Sequence, residues 1–161
     1  MRKILEWIGL TALAVLLWNT YQALYGPHAL PDSIPTHFDM LGNANGWGKP
    51  TMLLLPPVVT AILYLVLTVV SHYPALFNYP VTVTASNRVR LESLAKELLA
   101  VLKLEVVYSF VFVQQAYILA ARYTHGLPVV LLPIIVLVFL ATILWYIVAM
   151  VRLGEQKHPQ G

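Results

Sequence analysis

Four long apolar runs organise the chain: residues 4–24, 51–71, 104–121 and 128–151. A helix of 21 residues, the length of each of the first two runs, rises about 31 Å, enough to cross the hydrocarbon of a bilayer. The third run can extend back toward Leu98. Between Arg90 and Lys103, apolar residues recur at Leu91, Leu94, Ala95, Leu98, Val101 and Leu102, which is one face of a helix. Nothing interrupts that pattern before Tyr123, so one long helix is expected there. The connection at 123–127, with His125-Gly126 at its tip, is short enough to make the last two helices antiparallel neighbours. Residues 25–50 are polar and rich in Pro and Gly. The loop 72–103 begins with Pro74 and Pro80, which resist helix, and Tyr73, Phe77 and Tyr79 suit a membrane interface. Thr84 or Ser86 can then cap the long helix. The pattern predicts an all-α integral membrane protein: one domain over 1–161, a four-transmembrane-helix bundle with a Pro/Gly-rich outer loop between the first two spans.

Composition supports this reading. The chain is 59% hydrophobic and 11% charged, against about 25% charged residues in soluble domains. The net charge of +3 comes from dispersed residues, with no Lys/Arg run longer than two, which argues against nucleic-acid binding. There are no cysteines, so neither disulfides nor thiol chemistry enter. The Lys and Arg residues set an orientation. Arg2, Lys3, Arg88, Arg90, Lys96, Lys103, Arg152 and Lys157 fall on one side, and only Lys49 and Arg122 on the other. Both termini are therefore expected in the cytoplasm, and loop 25–50 outside. The first run reads as a span and not a cleaved leader, because Gln22-Ala23-Leu24-Tyr25-Gly26 lacks a small-x-small site.

The outer loop carries the densest candidate chemistry. Pro27, Pro31 and Pro35 stiffen it, and Gly42-Asn43-Ala44-Asn45-Gly46 suits tight turns. Trp47 and Lys49 fit the headgroup layer. The candidate binding residues are Pro31, Pro35, His37, Phe38, Asp39, Gly46, Trp47 and Lys49; the plainer alternative is a cap packed on the helices. No cofactor is expected. His28, Asp32, His37 and Asp39, with His125 from the other outer turn, are weak candidates for a metal site, since their spacing matches no standard motif.

Polar residues inside the spans form a second set. Asn19, Gln22, Gln114 and Gln115 sit at similar depth beneath the loop, as interhelical hydrogen-bonding partners or as the floor of a pocket. Glu105 is the fifth: if the third span begins at Leu104 it is interfacial and pairs with Lys103 or Arg152, the favoured reading, and if the span begins at Leu98 it lies about 10 Å deep, where a carboxylate is costly and marks function; Glu6 also lies near the cytoplasmic edge. Pro56-Pro57 and Pro133 interrupt two helices, a feature that transport sites can share. There is no GxSxG, HExxH or P-loop motif, so no enzyme is expected.

Two separate stretches carry a family resemblance. Leu30-Pro31, Ile34-Pro35-x-His37-Phe38, Gly42 and Gly46-Trp47-Gly48-Lys49 form the first; Asn78-Tyr79-Pro80-Val81 with Asn87 forms the second. Together they resemble a family of bacterial membrane proteins with domain of unknown function 1648. That family includes SdpI-type immunity proteins, larger chains that protect a producing cell from its own secreted toxin. The resemblance implies a multi-pass protein of the bacterial cytoplasmic (inner) membrane. Its leading functional reading is non-enzymatic recognition of a secreted peptide or another membrane protein through the outer loop, immunity-like or sensor-like. The alternatives are a small accessory subunit of a larger membrane complex and, more weakly, a small-solute transporter. The bilayer is the one partner every reading shares, and no motif sets an oligomeric state.

Overall fold

The computed structural model describes residues 2–123, 126 and 128–155. It is mostly helical. Helix α1 runs over Arg2–Tyr25, α2 over Leu55–Ser71, α3 over Arg88–Tyr123 and α4 over Leu131–Glu155. Among the described residues, three helical stretches are long and apolar enough to cross a membrane: Arg2–Tyr25, Pro50–Ser71 and Leu131–Glu155. This is the signature of a membrane protein. The second stretch opens with a 3-10 turn, Pro50–Leu54, ahead of α2, because Pro50, Pro56 and Pro57 supply no backbone N–H and suit a helix start. Helix α3 has 36 residues and is about 54 Å long; it is continuous, as the apolar spacing predicts, and its first half is strongly charged.

Helix α3 is the hub. It packs against α1, α2 and α4, whereas α4 packs chiefly on α3. The buried stripe of α1 is made of small residues and one leucine: Gly9, Ala12, Leu16, Thr20 and Ala23. Small residues let helix backbones approach closely, and in hydrocarbon such packing replaces the hydrophobic effect. By contrast α4 buries only Met150.

The outer loop is more ordered than its composition suggests. It contains an antiparallel hairpin of β1, Ile34–Phe38, and β2, Ala44–Gly48. The register pairs Ile34 with Gly48, Pro35 with Trp47, His37 with Gly46, and Phe38 with Ala44. One extra residue on each strand, Thr36 and then Asn45, bulges the ladder twice. Gly42, with φ of 84°, makes the turn. The hairpin is seated on the helices by a core of Ala23, Leu30, Ile34, Leu53 and Ile118. The Leu30 amide donates to the Ala23 carbonyl at 2.8 Å, and Arg122 donates to the His28 carbonyl at 3.1 Å.

A second core at the opposite end joins Leu91, Ala95 and Met150, with Phe77, Tyr79 and Val81 packed against them. Phe77 and Tyr79 thus pack on α3 and α4 and not simply at a lipid interface; only Tyr73 stays exposed. Neither Thr84 nor Ser86 caps α3: their hydroxyls bond each other at 2.9 Å. Asn87 holds the turn instead. It accepts from the Thr84 amide at 2.8 Å and donates to the Thr82 carbonyl at 3.0 Å.

Candidate functional site

The hairpin builds a groove at its junction with α3 and the start of α4. The volume is about 300 Å³, and His37, Phe38, Met40, Ala116, Tyr117 and Leu131 are among its walls. Phe38 stands edge-on to Tyr117, with centroids 5.3 Å apart, so the hairpin wall is fixed to α3. Asp39 works as the clasp of the turn. Its carboxylate accepts from the amides of Leu41 and Asn43, both at 2.8 Å, and from the Asn43 side chain at 3.2 Å. These donors, led by the Asn43 amide, hold its carboxyl below the usual range. The His37 ring is hydrogen-bonded to Asn45 across the strands. Gly46 lies opposite, where an added Cβ would come 2.9 Å from the His37 Cβ, so the cross-strand pair requires glycine. Past the clasp the tip is apolar and open: Met40 is 95% exposed and Leu41 81%. Trp47 and Lys49 are exposed as well, Pro31 is exposed, and Pro35 is buried in β1.

The metal candidates do not converge. His37 and Asp39 are engaged by hairpin partners, and His28 lies outside the hairpin and is exposed. Among the described residues no group of three or more His, Cys, Asp or Glu is placed to hold a metal; His125 lies outside those residues.

Of the five intramembrane polar candidates, Gln114 alone is completely buried. Its amide donates to the Thr20 hydroxyl at 2.6 Å, and Thr20 donates to the Leu16 carbonyl at 2.9 Å. Asn19 and Gln22 are half-buried and Gln115 is exposed. The expected polar floor is thus a single α1–α3 contact. The space beside Pro57 is bounded by Leu17, Leu24, Leu54 and Val58 and is apolar, and Pro133 is exposed.

The strongest polar cluster lies at the other end of α1 and α2. Lys103 is 2% exposed. Its ammonium bonds the Glu6 carboxylate of α1 and the Thr68 hydroxyl of α2, the latter at 3.2 Å. It also lies 4.9 Å from the centroid of the Tyr64 ring, while the Tyr64 hydroxyl donates to Glu6. One cation therefore ties three helices together. The expected pairing of Glu105 with Lys103 or Arg152 is not formed, because Glu6 occupies Lys103. Glu105 accepts instead from Thr142 of α4. Thr142 stands near the middle of α4, so Glu105 faces the body of that helix and not its end. Its other oxygen, Oε2, is buried and lacks a donor among the described residues.

Tyr64, Thr68, Thr20 and Thr142 are not singled out by the sequence, and Lys103 is expected there only beside Glu105, yet part of the signal is present. The buried positions of α3 include Ala100, Lys103, Val107, Gln114 and Ile118, and that stripe carries just two polar side chains, Lys103 and Gln114.

A family model described as a domain of unknown function (DUF1648) matches residues 8–61. The matched segment holds most of α1, the hairpin and the start of α2, so this part of the chain is similar to that domain. No curated protein and no solved structure matches the chain.

Proposed function

We propose that the chain is a non-enzymatic multi-pass protein of a bacterial cytoplasmic membrane that recognises a secreted peptide or another protein through its outer hairpin. In this reading all four helices cross the bilayer, both termini lie in the cytoplasm, and β1–β2 faces outward. The observation that carries it is the groove under the hairpin, with Met40 and Leu41 held out beside it by the Asp39 clasp. Exposed apolar side chains on a braced turn suit a partner with an apolar face, and burying them releases water. The resemblance to SdpI-type immunity proteins is the reason to put a secreted peptide first. A decisive test is purification from source membranes in native nanodiscs, comparing the parent chain with Met40→Asp/Leu41→Asp. The expected result is a stoichiometric partner with the parent and none with the variant. A partner retained by the variant, or none with either, removes this reading.

A second reading, an accessory subunit of a larger membrane complex, is favoured by α4. That helix buries one residue, Met150, against the rest of the chain, which leaves most of its surface for lipid or for foreign helices.

A further inference from the structure

Arg90, Ser93 and Leu94 of α3 meet Ala149 and Leu153 of α4 around an open crevice of about 360 Å³. Its floor is fixed, because Leu94 and Leu153 pack on the core of Leu91, Ala95 and Met150. Its depth follows from α4. The apolar run of that helix ends at Val151 and Arg152 comes next, which is where hydrocarbon gives way to headgroups. Arg152 is exposed and is a helical neighbour of Ala149 at i+3, so it stands at the rim. Among the described residues the salt bridges are Arg88–Glu92 and Lys103–Glu6. Glu92 is therefore occupied, and Arg90 and Arg152 carry unpaired charge. Of the other carboxylates at this end, Glu97 is two turns along α3 from Arg90, about 10 Å. Glu155 lies two positions past Leu153 and so on a different face of α4.

We propose that this crevice binds one anionic phospholipid of the adjoining leaflet, its phosphate held by Arg90 and Ser93 and faced by Arg152 from the rim. Charge selects this occupant. A guanidinium takes two phosphate oxygens at once, and a basic pocket between membrane helices at the interface suits an anionic headgroup. Shape agrees with charge. Leu94, Ala149 and Leu153 give the glycerol and the upper chains an apolar wall, which a free anion would leave uncovered. Further along the same two helices, toward the middle of the bilayer, runs an apolar groove with Tyr108, Phe112, Ile134 and Val138 among its walls, and acyl chains fit there. The inference goes beyond the hairpin reading. It depends neither on that reading nor on which way the chain is inserted.

The test uses the full chain purified in detergent and native mass spectrometry, with phosphatidylglycerol and phosphatidylcholine of the same acyl chains as probes. Retention of one phosphatidylglycerol per chain is expected, with phosphatidylcholine held much more weakly. In Arg90→Gln the affinity for phosphatidylglycerol should fall about fivefold, the equivalent of about 1 kcal/mol for one basic residue at a lipid surface. Arg90 is exposed, so this variant should fold as the parent does. Lys96→Gln removes the same charge from a different face of α3 and should leave the affinity unchanged. Ala149→Trp fills the crevice, keeps every charge and should abolish retention. Inorganic phosphate in excess should not displace the lipid. Equal retention of the two lipids, equal losses in Arg90→Gln and Lys96→Gln, or undiminished retention in Ala149→Trp overturns the proposal. Displacement by inorganic phosphate also overturns it, because the crevice would then take a free anion and not a lipid.

Discussion

Lys103 and Glu105 stand two positions apart on α3, yet they meet opposite surroundings. Lys103 faces α1 and α2 and is enclosed by a carboxylate, a hydroxyl and an aromatic face. Glu105 faces α4 and, among the described residues, has one hydroxyl for its two oxygens. Successive helix positions are about 100° apart, so two positions carry a side chain to a different face. A buried charge is tolerable where neighbours complete it and a liability where they do not. The Lys103 cluster reads as internal framework, and the Glu105 contact as a looser tie between α3 and α4.

The largest effect should come from breaking the complete side. Lys103→Met leaves Glu6 beside Tyr64 with no cation. Removing one partner of a buried pair costs about 3–5 kcal/mol, and the partial exposure of Glu6 puts the expected loss near the lower end, about 3 kcal/mol. Thermal unfolding in nanodiscs reads it. Lys103→Met combined with Glu6→Leu should recover most of the loss, because the uncompensated charge is then gone. A single variant as stable as the parent would mean that the cluster does not hold the three helices together.

Gln114→Leu probes the same side one layer further out. Thr20 keeps its bond to the Leu16 carbonyl, and the substitution also removes Gln114 Oε1, which is buried without a donor among the described residues, so the loss of the interhelical bond is partly offset and about 1 kcal/mol or less is expected. A loss as large as that of Lys103→Met would make the outer layer, and not the ion pair, the main α1–α3 tie.

Asp39 supplies a carboxylate that is complete but in water. Its folded pKa lies below the ordinary carboxylate value of about 3.9. The stability it adds is therefore fully present above that value and is lost as pH falls through the lower, folded one. Hydrogen exchange at the Leu41 and Asn43 amides should accelerate only in strong acid, relative to other hairpin amides. In Asp39→Ala that extra acid sensitivity should vanish. Protection that fades near neutral pH would show that the clasp is not what orders the tip.

The helices were legible because long apolar runs and 3.6-residue spacing persist over many residues. Thus the unbroken α3 could be read from Leu91 onward. The hairpin was not legible. IPTHF and ANGWG lack clean alternation, contain Pro35 and two glycines, and are interrupted by a bulge on each strand. What orders them is tertiary, chiefly Phe38 on Tyr117 and Ile34 in the core beneath. In the sequence Lys103 closes the 72–103 segment and counts only toward orientation and as a partner for Glu105. Following the stripe Ala100, Lys103, Val107 would have placed it inside. The pairing of Glu105 with Thr142 has no local signature, since it depends on how α4 sits against α3.

The smallest expected effect on stability is also the sharpest use of the comparison. Glu105→Leu removes a carboxyl group that is only half satisfied, and it replaces that group with a side chain suited to the apolar groove. Thr142 loses its acceptor but can turn to a carbonyl one helical turn back, as Thr20, Thr60 and Thr68 do in this chain. The gain in apolar packing and the loss of one hydrogen bond should nearly cancel, leaving a change within about 0.5 kcal/mol for the isolated chain. The same nanodisc unfolding experiment that penalises Lys103→Met should therefore leave Glu105→Leu close to the parent. A loss approaching that of Lys103→Met would mean that Glu105 is part of the framework after all, and the two faces of α3 would no longer differ in kind. A neutral result would mean the opposite: a carboxyl group that contributes little to the isolated fold.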